Sequence, residues 1–236
     1  NGNVNISLQW KKNGRAGKGQ LPFTFNEVTG NFHASHNMLK TLIGCPKKVG
    51  GCFDVRANRL DTLEGSPETV GGYFCASLNS LDDLKGSPKY VGDSFIVSDN
   101  NLKTLEGLSP RIDGTLDFNG GKITSFDHYT DCRVTSFGIE DNPIYLVFYI
   151  ILRGSRDKDI SNIIDIFKSY DPIHPGKSNS SYPILYLDRL ELFVSEVLNR
   201  EVDIKKEIEE RRVDFFKTYH ASSIRFLLEN YYDIKY

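Results

Sequence analysis

The chain has 236 residues, with 29 Lys and Arg against 31 Asp and Glu, so its formal net charge is only −2. This length suffices for one large domain or two small ones. The balanced charge argues against proteins that hold nucleic acid mainly by neutralising phosphates, because those carry a basic excess. The longest apolar run, residues 144–152, is about half the length that a membrane-spanning helix needs.

The chain begins with a segment that is typical of a strand. Residues 3–10 alternate polar and apolar side chains, with Val4, Ile6, Leu8 and Trp10 on one side, as a half-buried strand does. Residues 11–19 follow as a basic, glycine-rich loop without the spacing of a phosphate-binding loop. We predict that residues 1–27 form an N-terminal strand cap with this basic loop.

Residues 28–144 contain one pattern that returns every 21 residues. Each copy starts with Val or Ile, at Val28, Val49, Val70, Val91 and Ile112. Four places later comes a large apolar residue: Phe32, Phe53, Phe74, Phe95, Leu116 or Phe137. Nine places from the start lies Asn37, Asn58, Asn79, Asn100 or Asn142, with Gly121 in the fifth copy. A fixed period of this length predicts a solenoid, in which each coil packs on its neighbours.

Each coil is predicted to contribute one short strand. The apolar residues at the fourth and sixth places are two apart, which is the periodicity of a strand. Neighbouring coils place these strands side by side in a parallel sheet. The Asn falls where the chain leaves the strand, and its amide is expected to bond backbone groups of the adjacent coil.

The motif Phe-x-Ala/Val-x-x-Asn-x-Leu-x-x-Leu resembles the core of leucine-rich repeats. With Val-Gly-Gly before it and Leu-x-Gly-x-Pro after it, it is similar to short repeat proteins of large tailed bacteriophages. The closing phrase from Asn142 to Tyr145 also resembles the end of those arrays. The resemblance implies a leucine-rich-repeat-like fold and a role as a binding scaffold, with the host cytoplasm or the virion as its location.

Residues 145–236 are predicted to form a C-terminal α-helical capping domain. Helices are expected over residues 145–152 and 160–170, the latter from the spacing of Ile160, Ile163, Ile164 and Phe167. Prolines make residues 171–183 a loop. Pro183 is expected to open a helix over 184–199, and Asp203 another from Ile204 to about Asn230. The fold class is therefore α+β.

The outward positions of the strands form the candidate site. These positions point away from the core, and their residues vary between copies while the core positions do not. We therefore predict a partner-binding face that carries both polar and apolar side chains. Its residues are Asn31, His33, Cys52, Asp54, Arg56, Tyr73, Cys75, Ser94, Ile96 and Asp117. His33, Asp54 and Cys75 share one position of the repeat, but three successive rungs spread over roughly 10 Å. We therefore expect neither a metal site nor a catalytic pair there.

The cysteines do not suggest a disulfide framework. Cys45, Cys52, Cys75 and Cys132 occupy four different positions of the repeat, whereas stacked coils align equal positions. Free thiols in a reducing compartment are the expectation. No sequence motif calls for a cofactor.

These observations favour a non-enzymatic protein-binding module that contacts a host factor or a phage structural or assembly protein. Two alternatives remain open at this stage. One is an enzyme with its site in residues 145–236 and the solenoid as a substrate-recognition arm. The other is a nucleic-acid-associated protein that uses the basic loop of residues 11–19.

Overall fold

The repeated pattern folds into stacked coils that share two parallel sheets. The computed structural model describes residues 2–6, 19–129, 132, 134–145, 148, 160–174, 182–210, 212–213, 222–223, 228–229 and 231–235. The chain divides into two compact units. Unit 1 is residues 1–122 with 128–140, and unit 2 is residues 123–127 with 141–236.

Unit 1 is a β-solenoid built from very short strands. In chain order they are β1 (Val4–Asn5), β2 (Glu27–Val28), β3 (Phe32–His33), β4 (Lys48–Val49), β5 (Phe53–Asp54), β6 (Thr69–Val70), β7 (Phe74–Cys75), β8 (Tyr90–Val91), β9 (Phe95–Ile96), β10 (Thr115–Asp117) and β11 (Ser136–Gly138). One parallel sheet has the order β1-β3-β5-β7-β9-β10-β11, and a second has the order β2-β4-β6-β8. The N-terminal strand pairs with the first coil as predicted, through Val4 and Phe32, while residues 7–10 lie outside the described part of the chain.

The register of the large sheet places equal positions of the pattern opposite each other. Phe32 pairs with Phe53, Phe53 with Phe74, and Phe74 with Phe95. Their rings stack with centroids 5.3, 5.4 and 5.0 Å apart, and all four side chains are fully buried. This aromatic stack forms the centre of the unit 1 core.

The glycines between the two sheets allow neighbouring coils to approach closely. A Cβ atom built on Gly71 would lie only 2.2 Å from the carbonyl oxygen of Gly50 in the preceding coil. No other residue type fits such an approach without moving the backbone. The Val-Gly-Gly phrase is therefore a packing requirement of the stack.

The Asn side chains join successive coils, as the sequence suggested. The Asn100 Oδ1 accepts a hydrogen bond of 3.0 Å from the Leu81 N–H of the preceding coil. Its Nδ2 donates to the carbonyl oxygens of Ala76 and Val97 at 3.0 and 2.8 Å. Asn58 and Asn79 repeat the same set of bonds. Each amide thus satisfies backbone groups of two coils at once.

Unit 2 contains helices and strands. Its elements are α1 (Ile160–Tyr170), β12 (Ile173–His174), β13 (Ile184–Tyr186), α2 (Leu187–Leu198), α3 (Ile204–Glu210), β14 (Arg212–Val213), β15 (Ser222–Ser223) and β16 (Asp233–Lys235). Strands β12 and β16 flank β13, and β14 pairs with β15. Phe126, Phe148, Phe167 and Phe193 pack edge to face or tilted in its core.

Several expectations for residues 145–236 need correction. Helix α1 has the predicted bounds, but residues 184–186 form a strand, so α2 begins at Leu187. The helix that was expected to reach Asn230 ends at Glu210 and is followed by the β14–β15 pair. Ile184 and Leu185 were expected in a helix but are buried in strand β13. Large apolar residues are found in both helices and strands, and here the pairing with distant strands determines which element forms. Of the helix predicted over 145–152, only Tyr145 and Phe148 are described, and both are helical.

The Asn100→Ala substitution tests the role of the amide ladder. It removes the partner of the Leu81 N–H and of the Val97 carbonyl oxygen, whereas the Ala76 carbonyl oxygen keeps the Asn79 Nδ2. We therefore expect the free energy of unfolding to fall by about 3 kcal/mol. The adjacent Asn101 is exposed, and Asn101→Ala should change stability by less than about 0.5 kcal/mol. Urea unfolding of both variants measures the difference, and equal losses would refute a structural role for the amide.

Candidate functional site

The outer face of the seven-stranded sheet carries the residues that were predicted to bind a partner, and we call it the sheet face. Asn31, His33, Cys52, Tyr73, Ser94, Ile96 and Asp117 are partly exposed there, and Arg56 is exposed. Asp54 and Cys75 lie on the same strands but are buried, with 2% and 5% of their surface accessible. They were expected to point to solvent. Both are buried instead, so neither offers a surface to a partner.

Asp54 anchors the charged side chains around it. Its Oδ2 lies 2.9 Å from the Arg56 Nη2 and 3.9 Å from the His33 Nδ1. Its Oδ1 accepts the Arg56 backbone N–H at 3.1 Å. A buried carboxylate requires such partners. The result is an Arg56 side chain that is held at one end by Asp54 yet remains 53% exposed.

Tyr73 and the cysteines surround this ion pair. Burial and the nearby Asp54 carboxylate both raise the pKa of Tyr73. Burial also raises the pKa of Cys75, whose thiol lies 3.6 Å from the Ser77 Oγ. Both groups are therefore protonated at neutral pH, and a protonated thiol is a poor nucleophile.

His33, Asp54 and Cys75 lie on successive rungs at one position of the repeat, with the His33 Nδ1 3.9 Å from the Asp54 Oδ2. In the described part of the chain, no group of three His, Cys, Asp or Glu side chains is arranged to hold a metal ion. All four cysteines are free thiols, and burial raises the pKa of Cys45 to about 12.

The far end of the sheet face is acidic. Asp99 and Glu140 are exposed, and Asp117 is half-buried. Burial and the neighbouring Asp99 raise the pKa of Asp117. The ion pairs among the described residues include neither Asp99 nor Asp117. Asp99 and Glu140 were not among the predicted residues. Asp99 lies one place beyond the three outward positions of its strand, and Glu140 lies in the sixth copy of the pattern.

The rim at the carboxyl ends of the strands is held in an unusual backbone conformation. The residue eight places from the start of each copy has a left-handed φ: 58° at His36, 52° at Ala57, 55° at Leu78, 54° at Asp99, 73° at Gly120 and 58° at Asp141. Only one of these six is glycine. Leu78 is the outlier, because it is a large apolar residue in a strained conformation and 53% of its surface is exposed.

Unit 2 has a cleft of its own, with a volume of about 300 Å³. Its floor includes the buried rings of Phe126 and Phe167, and its rim carries Asp127, Lys168 and Asp171. The volume is at the lower limit for small-molecule sites. The catalytic alternative invoked His174 and His220, and the side chains of both lie outside the described residues.

No protein-family model, curated protein or solved structure matches this chain. Within the described residues, no helix has both the length and the apolar character needed to cross a membrane.

Asp117 provides a test of the electrostatics of the face. Because its pKa is raised in the folded state, the folded chain loses stability as pH rises from the ordinary aspartate range through that raised pKa. We expect Asp117→Asn to melt at a higher temperature than the parent at pH 7. The advantage should disappear when the pH falls below the ordinary aspartate pKa.

Asp113 is the matched control for this test. Arg111 and Tyr90 lower the pKa of Asp113 through hydrogen bonds, so Asp113→Asn should lower the melting temperature at pH 7. That loss should also vanish on acidification, because the parent carboxylate is then protonated in both states. Melting curves that shift in the same direction for both variants would contradict the assignment.

Proposed function

We propose that this chain is a leucine-rich-repeat-like protein-binding module without enzymatic activity, and that it binds a protein partner through the sheet face and its carboxyl rim. The observation that carries the proposal is Leu78. A left-handed conformation costs a residue other than glycine about 1–2 kcal/mol, and an exposed leucine gains nothing from burial. The fold has no need for this residue, whereas a binding surface does.

The surroundings of Leu78 support the same function. Tyr73 in the same coil and Ile96 in the next coil are partly exposed. Arg56 in the preceding coil is held by the buried Asp54 carboxylate. Aromatic and Arg side chains with restricted freedom are typical of binding hot spots. Solenoids commonly present such residues on a continuous face because their frame repeats while the outward positions vary.

We further propose a bacteriophage setting, with a host factor or a phage structural or assembly protein as the partner. The support is the resemblance of the repeated motif and of its closing Asn-Pro-Ile-Tyr phrase to phage repeat proteins. The Asn ladder and the stacked Phe column are consistent with that resemblance, because both occupy its motif positions. In that setting the protein acts in the host cytoplasm or in the virion.

Catalysis is the less favoured function. The thiols of Cys45 and Cys75 are buried with raised pKa values, and the Phe cluster in unit 2 is packed as a core. Nucleic-acid binding would depend on the basic loop, most of which lies outside the described residues. The acidic end of the sheet face opposes contact with phosphates.

An affinity capture from cells in which the protein is made tests the binding function. The intact chain should retain a partner that the double variant Tyr73→Ala/Ile96→Asp loses, after circular dichroism has shown that both are folded. Ile96→Asp places a charge in the middle of the apolar region, where an interface would have to desolvate it. Retention of the same partner by both forms would move the site away from the sheet face, and capture of no partner would count against the proposal.

Leu78→Asn should separate stability from binding. Asn tolerates left-handed φ better than Leu, so we expect the free energy of unfolding to rise by about 1 kcal/mol. Binding of the captured partner should weaken by about tenfold or more because an apolar anchor is lost. Urea unfolding and titration calorimetry measure the two effects.

Ala57→Asn is the matched control for Leu78→Asn. Ala57 occupies the same rim position in the neighbouring coil, with a φ of 52°, so the substitution should stabilise the fold in the same way. It removes no large apolar group and should leave binding unchanged. Equal binding by the parent, Leu78→Asn and Ala57→Asn would show that Leu78 is not an anchor.

A further inference from the structure

We infer that the partner presents a polypeptide strip in which an acidic group, apolar side chains and a basic group follow one another. This inference rests on the proposed function and specifies the partner of the same surface. It follows from the order of charges along the stacked coils. We call the residues that set this order the binding strip: Arg56, Tyr73, Leu78, Ile96, Asp99 and Asp117.

The first end of the binding strip is cationic. Arg56 belongs to the second coil, and its guanidinium is 53% exposed although Asp54 engages one of its nitrogens. His33 lies one rung further out, 3.9 Å from the same carboxylate. Asp54 is 2% exposed, so it offers a partner no contact surface, although its charge offsets part of that of Arg56. An approaching molecule meets a guanidinium with a fixed position, which is suited to a carboxylate.

The middle of the binding strip is uncharged. Tyr73 and Leu78 belong to the third coil, and Ile96 lies on the strand of the fourth. The Ser77 and Ser98 hydroxyls lie 3.2 Å apart and bond each other across these two rungs. This part of the face thus offers apolar contact and few free polar groups, so it favours apolar partner side chains.

The second end of the binding strip is anionic. Asp99 is exposed at the rim of the fourth coil, and Asp117 lies on the strand of the fifth. The raised pKa of Asp117 reflects its burial and its closeness to Asp99. A basic group of a partner placed between them would relieve this repulsion. The first end therefore attracts an acidic group and the second end a basic group. A partner that carries charges of only one sign is repelled at one of the two ends.

The coil spacing fixes the distance between the partner's charges. Strands in a sheet lie about 4.8 Å apart, so two rungs separate Arg56 from Asp99 by about 10 Å and three separate it from Asp117 by about 14 Å. An extended chain that crosses the strands advances about 3.3 Å per residue. Its acidic and basic residues should therefore stand about three to four positions apart, with apolar residues between them.

A selection from a library of random peptides tests this inference. The peptides are about twelve residues long, which suffices to span the strip at about 3.3 Å per residue. The immobilised probe is the whole chain. We expect the enriched peptides to share an acidic residue and a basic residue about three to four positions apart with apolar residues between. Their affinity should fall as salt is added, because partly exposed ion pairs are screened.

The variant Asp99→Asn/Asp117→Asn removes both acidic groups of the binding strip without endangering the fold. Asn tolerates the left-handed conformation of residue 99. An asparagine at position 117 keeps a side-chain oxygen that can accept the Asn119 N–H. The selected peptides should bind this variant about tenfold more weakly, and a new selection on it should lose the basic residue. Asp82→Asn is the control, since Asp82 is 60% exposed, lies outside the strip and pairs with Lys103. It should bind like the parent.

The outcomes separate this inference from the proposed function. Peptides that need Tyr73 and Ile96 but show no charge order, and bind Asp99→Asn/Asp117→Asn normally, would overturn the inference and leave the binding function in place. Absence of enrichment, or enrichment that survives Tyr73→Ala/Ile96→Asp, would overturn both. A dimer in sedimentation that Asp99→Asn/Asp117→Asn dissociates would identify a second copy of the chain as the occupant, which also overturns the peptide inference.

Discussion

The structure of unit 1 depends on one hydrogen-bonding constraint, which is that each coil must satisfy the backbone groups of the coil beside it. The chain leaves the sheet through a left-handed residue, and this turn exposes N–H and carbonyl groups inside the stack. The Asn that follows bonds groups of its own coil and of the preceding one, as Asn100 does with Val97 and Ala76. Buried backbone groups without partners are costly. The stacked Phe column and the glycine contacts can form only because this turn is closed.

Much of the solenoid is predictable because its determinants are local and repeated. The spacing of Phe32, Phe53 and Phe74 defines the sheet register directly. The regular Asn positions predict the hydrogen bonds that join neighbouring coils. Unit 2 lacks such repetition. Ile184 and Leu185 fit a helix by pattern, yet they pair with Asp233 and Ile234 of a strand far along the chain. A local sequence pattern carries no information on strand pairing between residues so far apart in the chain. Residues 184–186 were therefore wrongly predicted to be helical.

The outward face of the sheet was predictable in position but not in detail. Alternation along a strand identifies which residues point outward, and Tyr73, Ile96 and Arg56 are accessible on that face. It does not reveal that Arg56 pairs with Asp54, because that depends on the side-chain conformation of Arg56 and on the burial of the carboxylate. The left-handed φ of Leu78 was equally invisible, since most residues at this position are not glycine. Strain of this kind appears only when the backbone is known.

Because every coil contacts only its immediate neighbours, the solenoid can gain or lose a whole coil by duplication or deletion without loss of register. Each such event would change the distance between Arg56 and Asp117 by one strand spacing, about 4.8 Å. If the face binds as we propose, the number of coils between the two charged ends sets the spacing of the partner's charges. Related proteins could match ligands of different length by copy number alone, with their contact residues unchanged.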